Sequence, residues 1–441
     1  MTRVDEPIVD ERIPPLHRNR DFLLLWSGSA ISMLGSSASL VAYPLLVLAM
    51  TGSPGAAGLA GFVALLPTLL FQLPAGALVD RWDRKRVMIW CDLLRALGVG
   101  SIVVAIAVDE LHLWHVLAIG FVEGTLSVLY ELAAGAAIPN VVHPSQLTTA
   151  LSRNEARERA AVMAGTPLGG ALFGLGRIWP FVLDTVSYLV ALLTLLFIRR
   201  NFQGVHGGTT ADGDGTAGSG EPAAGGGTPG GIRRLGAELT QGLRWLWGQP
   251  FIRTATLLVS GSNLLFRALF LIIIVMFEDG GAGPVAIGVL LGLAGTGGVL
   301  GSLVATWCAG RFSMRSLVVA ANWVWALMVC VIAVTDNLYL IGAAYSLMWF
   351  IGPIWNVAVA GYQMAVTPDH IQGRVLSAVS LLAGGAVAVG SLVGGYLVES
   401  LGPAWAAWSM AAWMVLLAAL ATLSRSVRRA NFLPTEHSRR S

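Results

Sequence analysis

The feature that most constrains this chain is a series of apolar runs, each long enough to cross a membrane as a helix, which takes about 20 residues. Twelve can be read, over 22–50, 55–79, 87–108, 114–138, 158–176, 179–198, 254–277, 284–309, 316–334, 338–363, 374–398 and 404–423. Lipid offers backbone N–H and C=O groups no partners, so a spanning run must be a helix or part of a closed barrel. The alternating apolar pattern of a barrel strand is absent. Composition agrees: 55% of the 441 residues are hydrophobic and 12% are charged, about half the charged share of a soluble domain. The expected fold class is an all-α membrane protein with twelve transmembrane helices.

Arginine sets the expected orientation, because loops on the cytoplasmic side collect basic residues. Arg12, Arg18 and Arg20 precede the first span, and Arg81, Arg84, Lys85 and Arg86 follow the second. Arg153, Arg157 and Arg159 follow the fourth, Arg199 to Arg253 separate the sixth from the seventh, and Arg311 and Arg315 follow the eighth. Arg374 opens the eleventh and Arg425 to Arg440 end the chain. The alternate connections carry Asp109, Glu110, Glu278, Asp279, Asp336 and Glu399, with Arg177 the basic exception. Both termini are therefore expected in the cytoplasm. Residues 1–21 are polar with both signs of charge, and the run after them is too long for a cleaved leader.

The expected organisation has five parts. Residues 1–21 form a cytoplasmic tail, 22–200 a six-helix bundle, 201–253 a linker, 254–423 a second six-helix bundle and 424–441 a cytoplasmic tail. Within the linker, 204–231 is nearly all Gly, Ala, Thr, Asp and Pro, the composition of a flexible segment. Ile232, Leu235, Leu239, Leu243 and Leu246 then recur at helical spacing beside arginines, which predicts an amphipathic helix on the cytoplasmic surface. The alternative is a plain extension of the seventh span.

Internal repetition supports two equivalent bundles. Gly76-x-Leu78-Val79-x-x-Trp82 recurs as Gly301-x-Leu303-Val304-x-x-Trp307, and Gly165-x-x-x-Gly169-Gly170-x-Leu172 as Gly390-x-x-x-Gly394-Gly395-x-Leu397. Six spans is an even number, so both copies cross in the same sense. Parallel repeats of this kind place a substrate site between them near the bilayer midplane.

The loop Gly76-Ala-Leu-Val-Asp80-Arg81-Trp-Asp-Arg84-Lys85-Arg86 resembles the signature between the second and third helices of the major facilitator superfamily. Asp92-x-x-Arg95, Asn154-Glu155-Ala156 and Gly373-Arg374-Val375 look like its macrolide-efflux and enterobactin-exporter branch. The resemblance covers about residues 19 to 425 and implies two parallel six-helix repeats around a central cavity lined by the first, fourth, seventh and tenth spans. It implies a gating role for Gly76, Asp80, Arg81 and Arg84, where ion pairs can hold one conformation and release in another. Ala305 and Thr306 stand where the second copy would place Asp80 and Arg81. Gly165, Pro167, Gly169 and Gly170 resemble an exporter motif, and with Gly390, Gly394 and Gly395 they let helix backbones approach closely.

Charges within spans mark candidate sites, because burying one costs about 2.5 kcal/mol or more on insertion scales. Glu123, Ser127, Tyr130 and Glu131 form one polar stripe on the fourth span; the seventh has Asn263 and Arg267, and the tenth has Asn356. Glu123 paired with Arg267 across the bundles is the leading candidate for proton coupling, with Glu131 next. A purely structural Glu–Arg pair is the alternative. Phe266, Phe270, Trp349, Phe350 and Trp355 could hold an apolar substrate. The first span carries no acid and the fourth lacks the arginine of many drug/proton antiporters.

Energy sources other than an ion gradient find no support. There is a single lysine, Lys85, and no G-x-x-x-x-G-K-[ST] run to cradle ATP phosphates. No metal-ligand cluster, nucleophile–base set or cofactor motif is present, and Cys91, Cys308 and Cys330 show no disulfide spacing. The expectation is a non-enzymatic, monomeric secondary transporter in a bacterial cytoplasmic membrane. It would use protons to export drugs, siderophores or similar small molecules by alternating access, with lipid and substrate but no nucleic acid as partners. An importer, a lysophospholipid flippase and a non-transporting membrane sensor remain as alternatives.

Overall fold

The structure is a computed structural model that describes residues 15–79, 82–199, 202, 231–368 and 371–429. Among them the long helices are α1 (Arg20–Thr51), α2 (Pro54–Val79), α3 (Arg84–Ala107), α4 (Leu113–Val141), α5 (Leu147–Leu175) and α6 (Trp179–Phe197). After the linker come α7 (Gly231–Gly248), α8 (Pro250–Asp279), α9 (Pro284–Arg311), α10 (Met314–Val334), α11 (Leu338–Val366), α12 (Gln372–Leu401) and α13 (Pro403–Leu423). Most of the linker's Gly-rich stretch, 204–230, lies outside the described residues, as do Asp80 and Arg81.

Local chemistry sets the helix ends. Pro54, Pro250, Pro284 and Pro403 stand in first turns, where a missing N–H costs nothing. Asp83, Ser313 and Asn337 cap α3, α10 and α11 by accepting from Arg86 N, Ser316 N and Tyr339 N. Gly52, at φ 63°, ends α1 in the left-handed region.

Eleven of the described helices are long and apolar enough to cross a membrane. The twelfth span is α5. It begins at Leu147 rather than near 158, and its first half carries Arg153, Glu155, Arg157, Glu158 and Arg159, which dilute its hydropathy. Its second half packs on α1 and α9. Apolar side chains elsewhere face outward in stripes, as Trp90, Leu97 and Val104 do along α3, the surface that lipid covers.

The two bundles repeat the same contacts. In the first, α1 packs on α5 and α6, α2 on α4, and α3 on α4 and α6; in the second, α8 packs on α12 and α13, α9 on α11, and α10 on α11 and α13. Helix starts fix the register between copies: Leu113 to Leu338 and Leu147 to Gln372 are 225 apart, whereas Pro54 to Pro284 and Arg84 to Met314 are 230 apart. The glycine run in α5 and α12 is therefore a true structural repeat. The Gly76 and Gly301 match is not, because five residues separate it from the observed register. Gly301 abuts the Phe350 backbone of α11, while a Cβ at Gly76 would meet nothing within 4 Å. In the observed register Asp83 corresponds to Ser313, the cap of α10. The second-copy counterparts of Asp80 and Arg81 are then Gly310 and Arg311, not Ala305 and Thr306.

Two pseudo-equivalent seams join the bundles, α5 with α9 and α2 with α12. A Cβ on Gly170 would lie 2.5 Å from the Gly288 Cα and 2.5 Å from the Pro284 carbonyl oxygen. A Cβ on Gly395 would lie 2.8 Å from the Gly58 Cα and 2.6 Å from the Pro54 carbonyl oxygen. Both seams close the end of the bundle opposite the arginine-rich connections, here termed the far end. Ser53 adds a contact there, donating to Glu399 Oε2 at 2.9 Å. Within each bundle, Gly165 and Gly169 abut α1, and Gly390 and Gly394 abut α8. A Cβ on any of these four would lie within 3 Å of the neighbouring helix's backbone.

At the basic end, α7 is separate from α8, broken at Gln249, whose backbone is extended. It packs on α12, where buried Gly242 abuts the Arg374 backbone and Arg374 donates to Gln241 Oε1 at 2.8 Å.

Candidate functional site

The site is built around Glu123, ten residues into α4, or about 15 Å along a helix axis. That length is about half of a hydrocarbon core about 30 Å thick. Gly120 and Gly124 let α4 lie close on α2 at Ala64, which directs Glu123 inward. Tyr43 of α1 donates to Glu123 Oε2 at 2.9 Å and Tyr188 of α6 donates to Oε1 at 2.8 Å. Three helices of one bundle thus fix a single carboxylate.

Glu123 lines a cavity of about 80 Å³ together with Tyr43, Gly61 and, from the other bundle, Arg267 and Ser391. Arg267 Nε donates to Ser391 Oγ at 2.7 Å, and its guanidinium lies 5.2 Å from the Phe270 ring centroid. Glu123 and Arg267 therefore face one cavity from opposite bundles. Among the described residues no ion pair within 4 Å joins them.

Arg267 also borders a second cavity of about 630 Å³, inside the range that encloses drug-sized molecules. It runs to Glu155, Glu158 and Arg159 at the basic end of α5, so the bundle is open there and closed at the far end. Its walls are mostly apolar and aromatic. Phe266 meets Trp325 and Trp349 edge-on, with centroids 5.4 and 6.1 Å apart, and Trp325 lies 5.9 Å from Trp355. Asn263 and Asn356 add amides to the same wall.

The sequence-derived residues divide accordingly. Glu123, Arg267, Asn263 and Asn356 line the two cavities, as do Phe266, Phe270, Trp349 and Trp355. Phe350 lines neither. Glu131 is exposed, and Tyr130 is buried against α1, 3.1 Å from Ser29 Oγ. Arg84 Nη1 donates to the carbonyls of Ala136 and Phe202, at 2.9 and 3.3 Å, and Lys85 Nζ to that of Ile198 at 2.6 Å. These bonds tie the start of α3 to the basic ends of α4 and α6. Asp80 and Arg81, the remaining gating positions, lie outside the described residues.

A buried polar cluster lies behind Glu123; of its members only Asp92 and Arg95 figure in the sequence motifs, and there without a site role. Asp184 of α6 is fully buried and its Oδ2 has no hydrogen-bond partner; Oδ1 lies 3.5 Å from Ser36 Oγ of α1. Ser36 Oγ is 2.8 Å from the Tyr188 hydroxyl. Arg95 of α3 places its guanidinium 4.2 Å from the Tyr188 ring centroid, and Asp92 lies one turn away, also fully buried. Burying such groups costs several kcal/mol unless it is compensated. A signal is present in the sequence: Asp184 is the only acid in the sixth span, with Tyr188 one turn on.

No His, Cys, Asp and Glu grouping able to hold a metal occurs among the described residues.

The chain matches the family described as "Transmembrane secretion effector" over residues 12–206 and 234–440. It belongs to that family of the major facilitator superfamily. Members are membrane transporters, not enzymes. The multidrug efflux pump Tap of Mycolicibacterium fortuitum is 25% identical over 389 residues, spanning 86% of this chain and 90% of the pump. The macrolide efflux protein A of Streptococcus pyogenes is 26% identical over 180 residues, 40% of this chain and 44% of its own. Among solved structures, the nucleoside transporter NupG superposes with a TM-score of 0.70 at 11% identity, covering 93% of this chain and 99% of its own. A bacterial homologue of the iron transporter ferroportin in an inward-facing state gives 0.70 at 15% identity, covering 94% and 100%. At these identities the superpositions establish the shared fold alone.

Proposed function

We propose that this superfamily member is a proton-coupled exporter of drug-sized, largely apolar compounds, working by alternating access in a bacterial cytoplasmic membrane. The basic end, with both termini, faces the cytoplasm, following the arginine asymmetry. The observation that carries the reading is the position of Glu123: ten residues into α4, gripped by Tyr43 and Tyr188, and on a cavity that Arg267 enters from the other bundle. A carboxyl there can take up or release a proton only as the bundles rearrange, which links proton movement to the side on which the cavity opens. The aromatic wall of the 630 Å³ cavity suits an apolar substrate entering from the cytoplasm, in keeping with the efflux names of the relatives. The loop from Gly76 to Arg86 acts as the basic-end gate in this reading.

The test is Glu123→Gln in proteoliposomes. The variant should reach the membrane and exchange substrate, yet fail to accumulate it when a pH gradient is imposed. Accumulation at the parental level would overturn the assignment.

A further inference from the structure

Behind Glu123 lies a second carboxyl that the cavities do not reach. Asp184 stands five residues from the far end of α6, about 8 Å along the axis, nearer that surface than Glu123. Between the two carboxyls lie two hydroxyls, those of Ser36 and Tyr188. Asp184 Oδ1 and Ser36 Oγ are 3.5 Å apart, Ser36 Oγ and the Tyr188 hydroxyl 2.8 Å, and the Tyr188 hydroxyl and Glu123 Oε1 2.8 Å. The first link is the longest and sits at the limit of a hydrogen bond.

We infer that Asp184 is a second proton site, joined to Glu123 by a relay through Ser36 and Tyr188, with Arg95 as the fixed counter-charge of the pair. This rests on the coupling role of Glu123 proposed above. The relay balances in a single concerted step. A proton on Asp184 passes to Ser36 Oγ, the Ser36 hydroxyl proton passes to the Tyr188 oxygen, and the Tyr188 proton passes to Glu123 Oε1. Asp184 loses one proton and Glu123 gains one, while both hydroxyls end as they began. Tyr188 already donates to Glu123, and the relay requires the Ser36 hydroxyl proton, which can also reach the Ser32 carbonyl at 3.1 Å, to turn to the Tyr188 oxygen.

The surroundings favour transfer between these two groups over escape elsewhere. The ionisable groups acting on Asp184 are Arg95 from α3, Glu123 from α4, Tyr43 from α1 and Tyr188 from its own helix. The membrane half of α5, the other neighbour, carries no titratable side chain between Ala160 and Leu175. Arg95 lies over the Tyr188 ring, where its charge acts on both carboxyls and bonds to neither. Asp92, one turn along α3, shares the same guanidinium, so one positive charge faces three carboxyls and cannot balance all of them ionised, which suits a proton held between Asp184 and Glu123. Asp184 then serves as the proton store on the far side and Glu123 as the group that meets the cavity.

The experiment compares Asp184→Asn, Ser36→Ala, Tyr188→Phe and Glu123→Gln in proteoliposomes. For each, pH-driven accumulation is divided by substrate counterflow, which needs no net proton movement. Loss of packing lowers both modes together and leaves the ratio unchanged. The relay predicts that the ratio falls about tenfold or more for Asp184→Asn and Tyr188→Phe, in line with the effect of a lost proton-transfer group. Ser36→Ala, which keeps both carboxyls, should shift the pH profile of accumulation. If Asp184→Asn fails to insert, the Ser36 and Tyr188 variants decide. Parental ratios and pH profiles in those variants, with Glu123→Gln uncoupled, would overturn the relay and leave Glu123 as the coupling residue. A fully coupled Glu123→Gln would overturn both.

Discussion

A single methyl group at Gly170 should shift which side of the bundle is open. The perturbation is Gly170→Ala on α5, at the seam with α9. The added Cβ would sit 2.5 Å from the Gly288 Cα and from the Pro284 carbonyl oxygen, whereas carbon atoms rest about 3.5–4.0 Å apart. Both neighbours are backbone, so no side chain can swing away and the helices must separate by about 1 Å. Overpacking of this kind costs about 1–3 kcal/mol. Only the state in which the far end is closed carries that cost, so the balance should move about 5- to 150-fold toward far-end opening. The assay uses Ala60→Cys, which lines the 80 Å³ cavity, in a chain with Cys91, Cys308 and Cys330 replaced by serine. A membrane-impermeant thiol reagent applied from the far side should label it faster in the Gly170→Ala background. Gly395→Ala, the equivalent change on α12, should do the same. Labelling rates equal to the parent in both, at normal expression, would refute the idea that these seams form the far gate.

Three other outcomes can be checked independently. Cysteines at positions 110, 279 and 336 should react with an impermeant reagent from outside intact cells, and a cysteine at 85 should not; the reverse pattern would invert the assigned orientation. Phe266→Ala should weaken binding of an aromatic substrate by about two- to tenfold, the value of one ring contact, and an unchanged Kd would remove that wall from the substrate site. Arg84→Ala loses bonds to the Ala136 and Phe202 carbonyls, each worth about 1.5–3 kcal/mol for a charged donor. A lower Tm in detergent follows, and an unchanged Tm would show that the tie between α3 and the ends of α4 and α6 contributes nothing.

The spans and the duplication are legible because lipid forces long apolar runs to be helices, and because Gly165, Gly169 and Gly170 recur where α5 and α12 need close approach. The Gly76 and Gly301 match misleads because a Gly- and Leu-rich chain produces such coincidences, and no spacing reveals the five-residue shift in register. Glu123 and Arg267 stand out as charges within spans. Asp184 and Arg95 are charges within spans too, but the resemblance points for the cavity to the first, fourth, seventh and tenth spans, whereas Asp184 and Tyr188 sit on α6 and Arg95, part of a branch motif, on α3. Nor does the sequence show which way a helix is turned when it is apolar all round. Tyr43 and Ser36 lie seven residues apart on a span that carries no acid, and only the packing of α1 against α4 and α6 brings them onto the two carboxyls.

An outward-lower pH should drive substrate out through this chain. The direct measurement is purified protein in sealed proteoliposomes, with an aromatic substrate at equal concentration on both sides and a pH step imposed across the membrane. Proton-coupled export predicts that substrate accumulates on the more acidic side, and that the gradient collapses when a protonophore is added. Substrate that stays level on both sides of the membrane, whatever the pH step, would contradict it.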